Sequence, residues 1–192
     1  NLKGVHVALQ GLGNVGYQLA SMLHKAGATL TVADINAARV QQAVNEFGAN
    51  SVWPDKIYSV DCDVFSPCGL GGVINDTTMP LLSCRVVAGS ANNQLATPDH
   101  GNQLHQQHIL YAPDYVINSG GLIYASLNHR GFTASDISKK TGEISAALDE
   151  IFSTSLRQSR PTSQIADAIA ELKVYGENSF CPVASEIDDQ VA

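Results

Sequence analysis

Two hydrophobic periods alternate along this chain. Residues 5–9 form a short apolar run of strand length, and residues 30–33 form a second. Between them Val15, Leu19, Met22, Leu23 and Ala26 recur at helical spacing, which predicts one buried helix face ended by Gly27. Val40, Ala43, Val44 and Phe47 repeat that pattern, with Asn36 as the predicted N-cap and Gly48 as the terminator. Further strand-length runs follow at 51–53, cut by Pro54, and at 61–65, 85–88 and 109–112. Trp53 reads as a packing residue at the sheet edge and His6 as a hydrogen-bonded core residue. Asp76 is expected to cap a short helical piece interrupted by Pro80, and Thr97-Pro98 to open a helix through about His108. Residues 115–117 read as another short extended piece. The remainder reads as helical, with Lys139 and Lys140 in a polar loop. Ile144, Leu148, Ile151, Phe152, Ser155 and Leu156 mark one long helix. Pro161 starts another, with Ile165, Ile169 and Leu172 on one face.

Strands that alternate with helices across short loops predict an α/β fold: a Rossmann-type doubly wound parallel sheet with helices on both faces, in strand order 3-2-1-4-5-6. The turn after the first strand carries its chemistry. Gly11-Leu12-Gly13-Asn14-Val15-Gly16 fits G-x-G-x-x-G. The first glycine permits the tight turn, the second lets a pyrophosphate approach the backbone, and the third lets helix and strand pack closely. The helix that follows turns its free N–H groups toward the phosphates. Asp34 ends the second strand 21 residues after Gly13, where a carboxylate accepts from the adenine ribose 2′-hydroxyl. Such a carboxylate repels a 2′-phosphate, so NAD is favoured over NADP; Arg39 is the one nearby residue that keeps NADP open.

Three more small-residue turns close predicted extended segments: residues 66–72, residues 89–93 and residues 118–121. Turns at the carboxyl ends of parallel strands are where cofactors lie in this architecture. Asn92, Asn93 and Asn118 supply amides there.

Composition narrows the class. The 192 residues are 44% hydrophobic and 15% charged, which suits a globular chain with an ample core. A net charge of −7 argues against nucleic acid and anionic membranes as partners. No apolar run approaches the ~18 residues of a membrane span, and no secretory signal is visible. Cys62, Cys68, Cys84 and Cys181 show no paired spacing, so a reduced, cytoplasmic protein is expected. His100, His105 and His108 read as a solvated helix surface and not a metal site; none is expected. Residues 174–192 hold four acids and no Lys or Arg, and 175–192 reads as a poorly ordered tail.

Five segments in order then carry a specific likeness: residues 11–16, 33–36, 66–75, 88–95 and 111–121. Together they resemble the cofactor domain of the glutamate/leucine/phenylalanine/valine dehydrogenase family, densely over residues 3–123 and more weakly to about 173. The resemblance implies NAD-dependent oxidative deamination of a branched-chain or other apolar L-amino acid, leucine foremost, to the 2-oxo acid and ammonia. It implies that Gly11, Leu12, Gly13, Asn14, Val15 and Gly16 hold the pyrophosphate, and that Asp34 and Ile35 hold the adenosine ribose. Pro67, Cys68 and Gly69 would border the adenosine and nicotinamide ribose. Ala91 with Asn92 or Asn93 would touch the nicotinamide end, and Asn118 the nicotinamide or the substrate α-carbon. Leu122 and Ala125 match positions lining the substrate side-chain pocket. After Gly121 the family pattern runs Val-Ile-Asn-Val-Ala-Asp-Glu, whereas this chain reads Leu122-Ile123-Tyr124-Ala125-Ser126-Leu127-Asn128, a departure that bears on substrate choice.

In that family the catalytic lysine and aspartate lie in an N-terminal substrate domain. The expectation is therefore one NAD-binding domain over 1–174, including C-terminal helices at 142–173, with no catalytic residue of its own and the substrate domain absent. Such a piece is expected to be inactive alone, to meet its amino-acid substrate through the missing domain, and to belong to a homo-oligomer when whole. The alternative is a stand-alone NAD-binding regulatory or assembly module.

Overall fold

A computed structural model describes residues 1–176. Six strands form one sheet: β1 (His6–Gln10), β2 (Thr29–Ala33), β3 (Asn50–Ser51), β4 (Val64–Pro67), β5 (Val86–Val87) and β6 (Leu110–Tyr111). All pair in parallel, in the order β3-β2-β1-β4-β5-β6. The expected topology and fold class are therefore met. Among the described residues seven α-helices accompany the sheet: α1 (Asn14–Lys25), α2 (Ala37–Phe47), α3 (Asp99–Gln106), α4 (Asp114–Ile117), α5 (Gly120–His129), α6 (Ala134–Gln158) and α7 (Thr162–Tyr175). No described helix is long and apolar enough to cross a membrane.

Because side chains alternate across a strand, β1 feeds two cores. Val7 and Leu9 join Leu30, Val32, Ala20 and Ala43 under α1 and α2. Ala8 points the other way, into a cluster with Phe65, Val87, Ile57, Met79 and Leu104 of α3. Full burial of a side chain such as Leu9 or Phe65 contributes ~1.5–3 kcal/mol, which places the strongest packing at the sheet centre, where β1 meets β4. A third, smaller cluster of Ile151, Ile165 and Ala166, with Val116, Phe152 and Ile169, ties α4, α6 and α7 together. Thr162 Oγ1 donates to the Tyr111 carbonyl at 2.7 Å and fastens α7 to β6.

Several local expectations fail for identifiable reasons. Residues 115–117 are helical, because α4 starts directly after Pro113 and three apolar residues carry no period. Asn118 consequently caps a helix and does not end a strand, and Gly120-Gly121 open α5. Lys139 and Lys140 lie inside α6, whose capping box at Thr133 and Asp136 starts it earlier than its apolar stripe. Asp76 caps no helical piece: the short 3-10 turn at Met79–Leu81 begins at Thr78 without a side-chain cap, and the turn before it is closed by Asn75, whose Oδ1 accepts from Thr77 N and Thr78 N. His100 is buried, not solvated, and Trp53 and Leu172 are exposed. Of the expected tail, Tyr175 is the last residue of α7, and 177–192 lie outside the described residues.

Candidate cofactor site

A groove of about 470 Å³ opens where the carboxyl ends of β1, β2 and β4 meet. The winding of the sheet reverses between β1 and β4, and such a switch point leaves a crevice. Gln10, Gly11, Gly13, Asp34, Ile35, Cys68 and Gly69 are among its lining residues.

The three glycines of the first turn have separable roles. Gly11 has φ +94°, and a Cβ there would sit 2.8 Å from Gly69 N and 2.9 Å from the Cys68 carbonyl carbon. Gly16 lies in α1 against the turn, where a Cβ would fall 2.1 Å from Gly11 O. Both are required by packing of the turn itself. Gly13 differs: a Cβ there meets no atom within 4 Å. Its bareness serves no internal contact and leaves the backbone open to a ligand.

Asp34 is held from two sides. Leu12 N–H donates to its Oδ2 at 2.5 Å and Asn36 N–H to its Oδ1 at 2.7 Å. One carboxylate thus couples the glycine turn to the start of α2. Two carboxylate oxygens offer about four lone-pair sites, so acceptor capacity remains for a ligand hydroxyl.

The two neighbouring helix starts are treated oppositely. Asn36 caps α2 through Oδ1, which accepts from Ala38 N and Arg39 N. The start of α1, at Gly13, has no side-chain cap and no acid in its first turn. Its free N–H groups and positive dipole end therefore remain available to an anion. Gln10 Nε2 donates to Tyr58 Oη at 2.6 Å in the groove wall.

A second cluster adjoins the groove. Gly72 N–H donates to Asn93 O at 2.7 Å, and a Cβ on Gly71 would lie 2.7 Å from Asn92 O. Asn118 Nδ2 donates to Asn92 Oδ1 at 2.6 Å. Buried Gln94 braces this loop: Nε2 donates to the Gly89 and Ala91 carbonyls, and its own N–H donates to Asp114 Oδ2. Asn92 thus pairs with Asn118 by side chain, while Asn93, at φ +51°, serves through its backbone. Gly89 presses on β4, with a Cβ there 2.1 Å from Pro67 O.

Of the expected site residues, Gly11, Gly13, Asp34, Ile35, Cys68 and Gly69 line the groove. Leu12, Gly16, Pro67 and Ala91 are buried and are not in its lining, and Asn14 is the exposed first residue of α1. Val15 faces elsewhere, into an apolar groove along α1. Leu122 and Ala125 both lie exposed on α5, one turn apart. Sequence reasoning missed Gln10, Pro54, Tyr58 and Asn75 in the lining. Gln10 directly precedes Gly11 and could have been inferred from that adjacency; Tyr58 arrives through a 3-10 turn, Ile57–Ser59, and Pro54 through the turn just before it, and neither carried a signal.

No group of three or more His, Cys, Asp or Glu capable of holding a metal occurs among the described residues. Nδ1 of His100 accepts from Thr97 N, so its Nε2 faces Asp76 Oδ1 at 3.1 Å. Burial pushes the Cys84 thiol up to about 11, and burial raises Cys62 as well, so both are inert thiols near neutral pH.

Fold and groove define the class first: a doubly wound α/β domain with a glycine turn, a pinned carboxylate and an uncapped helix start around one crevice. The glutamate/leucine/phenylalanine/valine dehydrogenase profile matches residues 31–170, and the chain belongs to that family. It is 47% identical over 174 residues to leucine dehydrogenase of Geobacillus stearothermophilus, covering 91% of this chain and 47% of that protein. It is 42% identical over 188 residues to phenylalanine dehydrogenase of Lysinibacillus sphaericus, covering 94% and 49%. The crystal structure of L-tryptophan dehydrogenase from Nostoc punctiforme superposes with a TM-score of 0.86 at 41% identity, covering 88% of this chain and 52% of that one. The chain spans about half the length of the relatives it matches.

Proposed function

We propose that this chain is the NAD-binding half of an amino-acid dehydrogenase that oxidatively deaminates an apolar L-amino acid, leucine foremost, to the 2-oxo acid and ammonia. The observation that carries the reading is the joined geometry of Gly13 and Asp34: an open backbone at the phosphate position and a pinned acceptor at the ribose position, bridged by Leu12 N–H.

The groove fits such a dinucleotide. Asp34 would take the adenine ribose, with Ile35 and Leu70 as apolar lips, 95% and 84% exposed. Gly13 and the uncapped start of α1 would take the pyrophosphate. Ala91 and the Asn92–Asn118 pair would orient the nicotinamide end. NAD, when bound, supplies the hydride acceptor. Leu122 and Ala125 would give an apolar wall to the substrate side chain by desolvation.

A general base for the amine is not among the groove residues. Among the described residues no lysine lines the groove; Lys139 and Lys140 lie on α6, with Lys140 paired to Glu143. A lysine becomes a base near neutral pH only in a desolvated pocket. The reading therefore assigns proton transfer and the exclusion of water to the other half of the parent protein, within a cytoplasmic homo-oligomer.

Calorimetric titration with NAD tests this. The chain is expected to bind NAD, not to oxidise leucine, and to lose about 10- to 100-fold in affinity on Asp34→Ala, the range for a lost hydrogen bond to a charged group. Leucine oxidation by this chain alone, or NAD binding indifferent to Asp34, would contradict it.

A further inference from the structure

At the end of the sheet opposite the cofactor groove, the segment entering β4 runs beside the segment entering β5. Asp61 bridges Ser83 in parallel, and the same register pairs Val64 with Val86 and Phe65 with Val87. Cys62 and Cys84 therefore stand side by side between these pairs. The positions around them are tied together. Cys62 N–H donates to Ser83 O at 3.0 Å, Ser83 Oγ to Asp61 Oδ1 at 3.1 Å, and Arg85 Nη2 to Asp63 Oδ1 at 2.6 Å. Both segments bend at the next residue, Asp63 and Arg85, so the two cysteines keep their alignment. Both pack, partly buried, on the core of Ala8, Phe65 and Val87. Neighbouring strands run about 5 Å apart, inside the roughly 4.4–6.8 Å between Cα atoms that a disulfide spans. A recess of about 310 Å³ opens on the pair and is lined by both cysteines with Asp61, Ser83, Arg85 and Gln107.

We propose that Cys62 and Cys84 form a dithiol site that closes to an intrachain disulfide when a small disulfide of the glutathione class enters this recess. One cysteine, as thiolate, attacks a sulfur of the small disulfide and expels the first small thiolate, leaving a mixed disulfide. The other cysteine, as thiolate, attacks the protein-side sulfur and expels the second. Two protein thiols are oxidised, one small disulfide is reduced to two thiols, and the two protons lost by the cysteines end on those thiols. Burial first, and then the neighbouring Cys62 thiol, push the Cys84 thiol up to about 11, and burial raises Cys62. Each is thus a poor nucleophile near neutral pH, and closure there is slow. The same property makes the closed bond hard to reduce, because the reduced pair gains no thiolate stabilisation. Cys68 takes no part: it lies just past the far end of β4, in the lining of the cofactor groove.

The test treats the reduced chain with oxidised glutathione at a pH of about 9, where raised thiols begin to ionise. Free thiols are then alkylated, and chymotryptic peptides are mapped by mass spectrometry without reduction. The expected product is a peptide joining Cys62 to Cys84, with the intact chain lighter by two hydrogens and its alkylatable cysteines falling from four to two. Dithiothreitol should restore the parent mass. In Cys62→Ser and in Cys84→Ser the cross-link should vanish and the remaining cysteine of the pair keep a glutathione adduct. Phenylarsine oxide, which condenses with two adjacent thiols and releases one water, should mask the same two cysteines in the untreated parent chain. Glutathione adducts on Cys62 or Cys84 that never resolve into the cross-link would overturn the proposal. So would a cross-link to Cys68 or Cys181 in its place, or two cysteines that stay reduced throughout and are alkylated only after unfolding.

Discussion

The molecule has two grooves of nearly equal size and opposite character. One, about 470 Å³, lies at the carboxyl ends of β1, β2 and β4 and is framed by glycines and Asp34. The other, about 420 Å³, runs along α1 and is lined by Leu2, Val5, Val7, Leu19, Met22, Leu23, Val64 and Ile117. Size does not separate them; their origin does. The first exists because the winding reverses between β1 and β4, and its walls carry converging donors and acceptors. The second lies where Leu19, Met22 and Leu23 of α1 meet Val7 of β1 and Val64 of β4. Ligand sites combine apolar walls with a few placed polar groups. The first groove has both. The second is largely hydrophobic: Gln18, Ser66 and Ser90 are in its lining, yet its exposed surface is almost wholly apolar.

The sharpest way to break this comparison is at the glycines. Gly16→Ala forces a Cβ to within 2.1 Å of the Gly11 carbonyl oxygen. It is expected to destabilise the chain by ~3 kcal/mol, the upper range for overpacking, and to abolish NAD binding. Gly13→Ala meets no atom within 4 Å, and its φ of −66° suits alanine. Stability there should change by less than ~1 kcal/mol while NAD binding falls. Urea unfolding beside calorimetry separates the two. Equal destabilisation by both would contradict the division of roles.

A smaller effect concerns acid. Asp63 accepts from His6 N–H at 2.8 Å and from Arg85 at 2.6 Å, and these hold its carboxyl below the usual carboxylate range, the backbone bond foremost. A depressed folded-state value contributes stability that is fully present above the unfolded value of about 4 and is lost as pH falls through the folded one. Asp63→Asn should therefore flatten the loss of thermal stability below about pH 4. An unchanged acid limb would remove Asp63 from that account.

How much of this was legible in sequence differs between the grooves. Gly11, Gly13, Gly16 and Asp34 were readable because each answers a local backbone or charge requirement at fixed spacing. The apolar groove was misread. Val15, Leu19, Met22, Leu23 and Ala26 share a face by period, yet Val15 and Met22 are 62% and 67% exposed and the buried positions of α1 are Gly16 and Ala20. Close packing of α1 on the sheet selected small residues, which a hydrophobic period under-weights. His100 was misread likewise: its burial depends on partners at Thr97 and Asp76, and Asp76 lies 24 residues away. Residues 115–117 were too few to declare a period.

Met22→Gln is expected to have the smallest effect. An exposed side chain in the apolar groove should change stability by less than ~0.5 kcal/mol and leave NAD affinity unaltered. A loss of NAD binding would give that groove a role denied to it here.

The most direct measurement is amide hydrogen exchange of the chain with and without NAD. Protection is predicted at residues 11–16, 34–36 and 68–72, with residues 19–23 along the apolar groove unchanged. Protection confined to 19–23, or none at the glycine turn in the presence of saturating NAD, would contradict the assignment of the cofactor to the groove of Gly13 and Asp34.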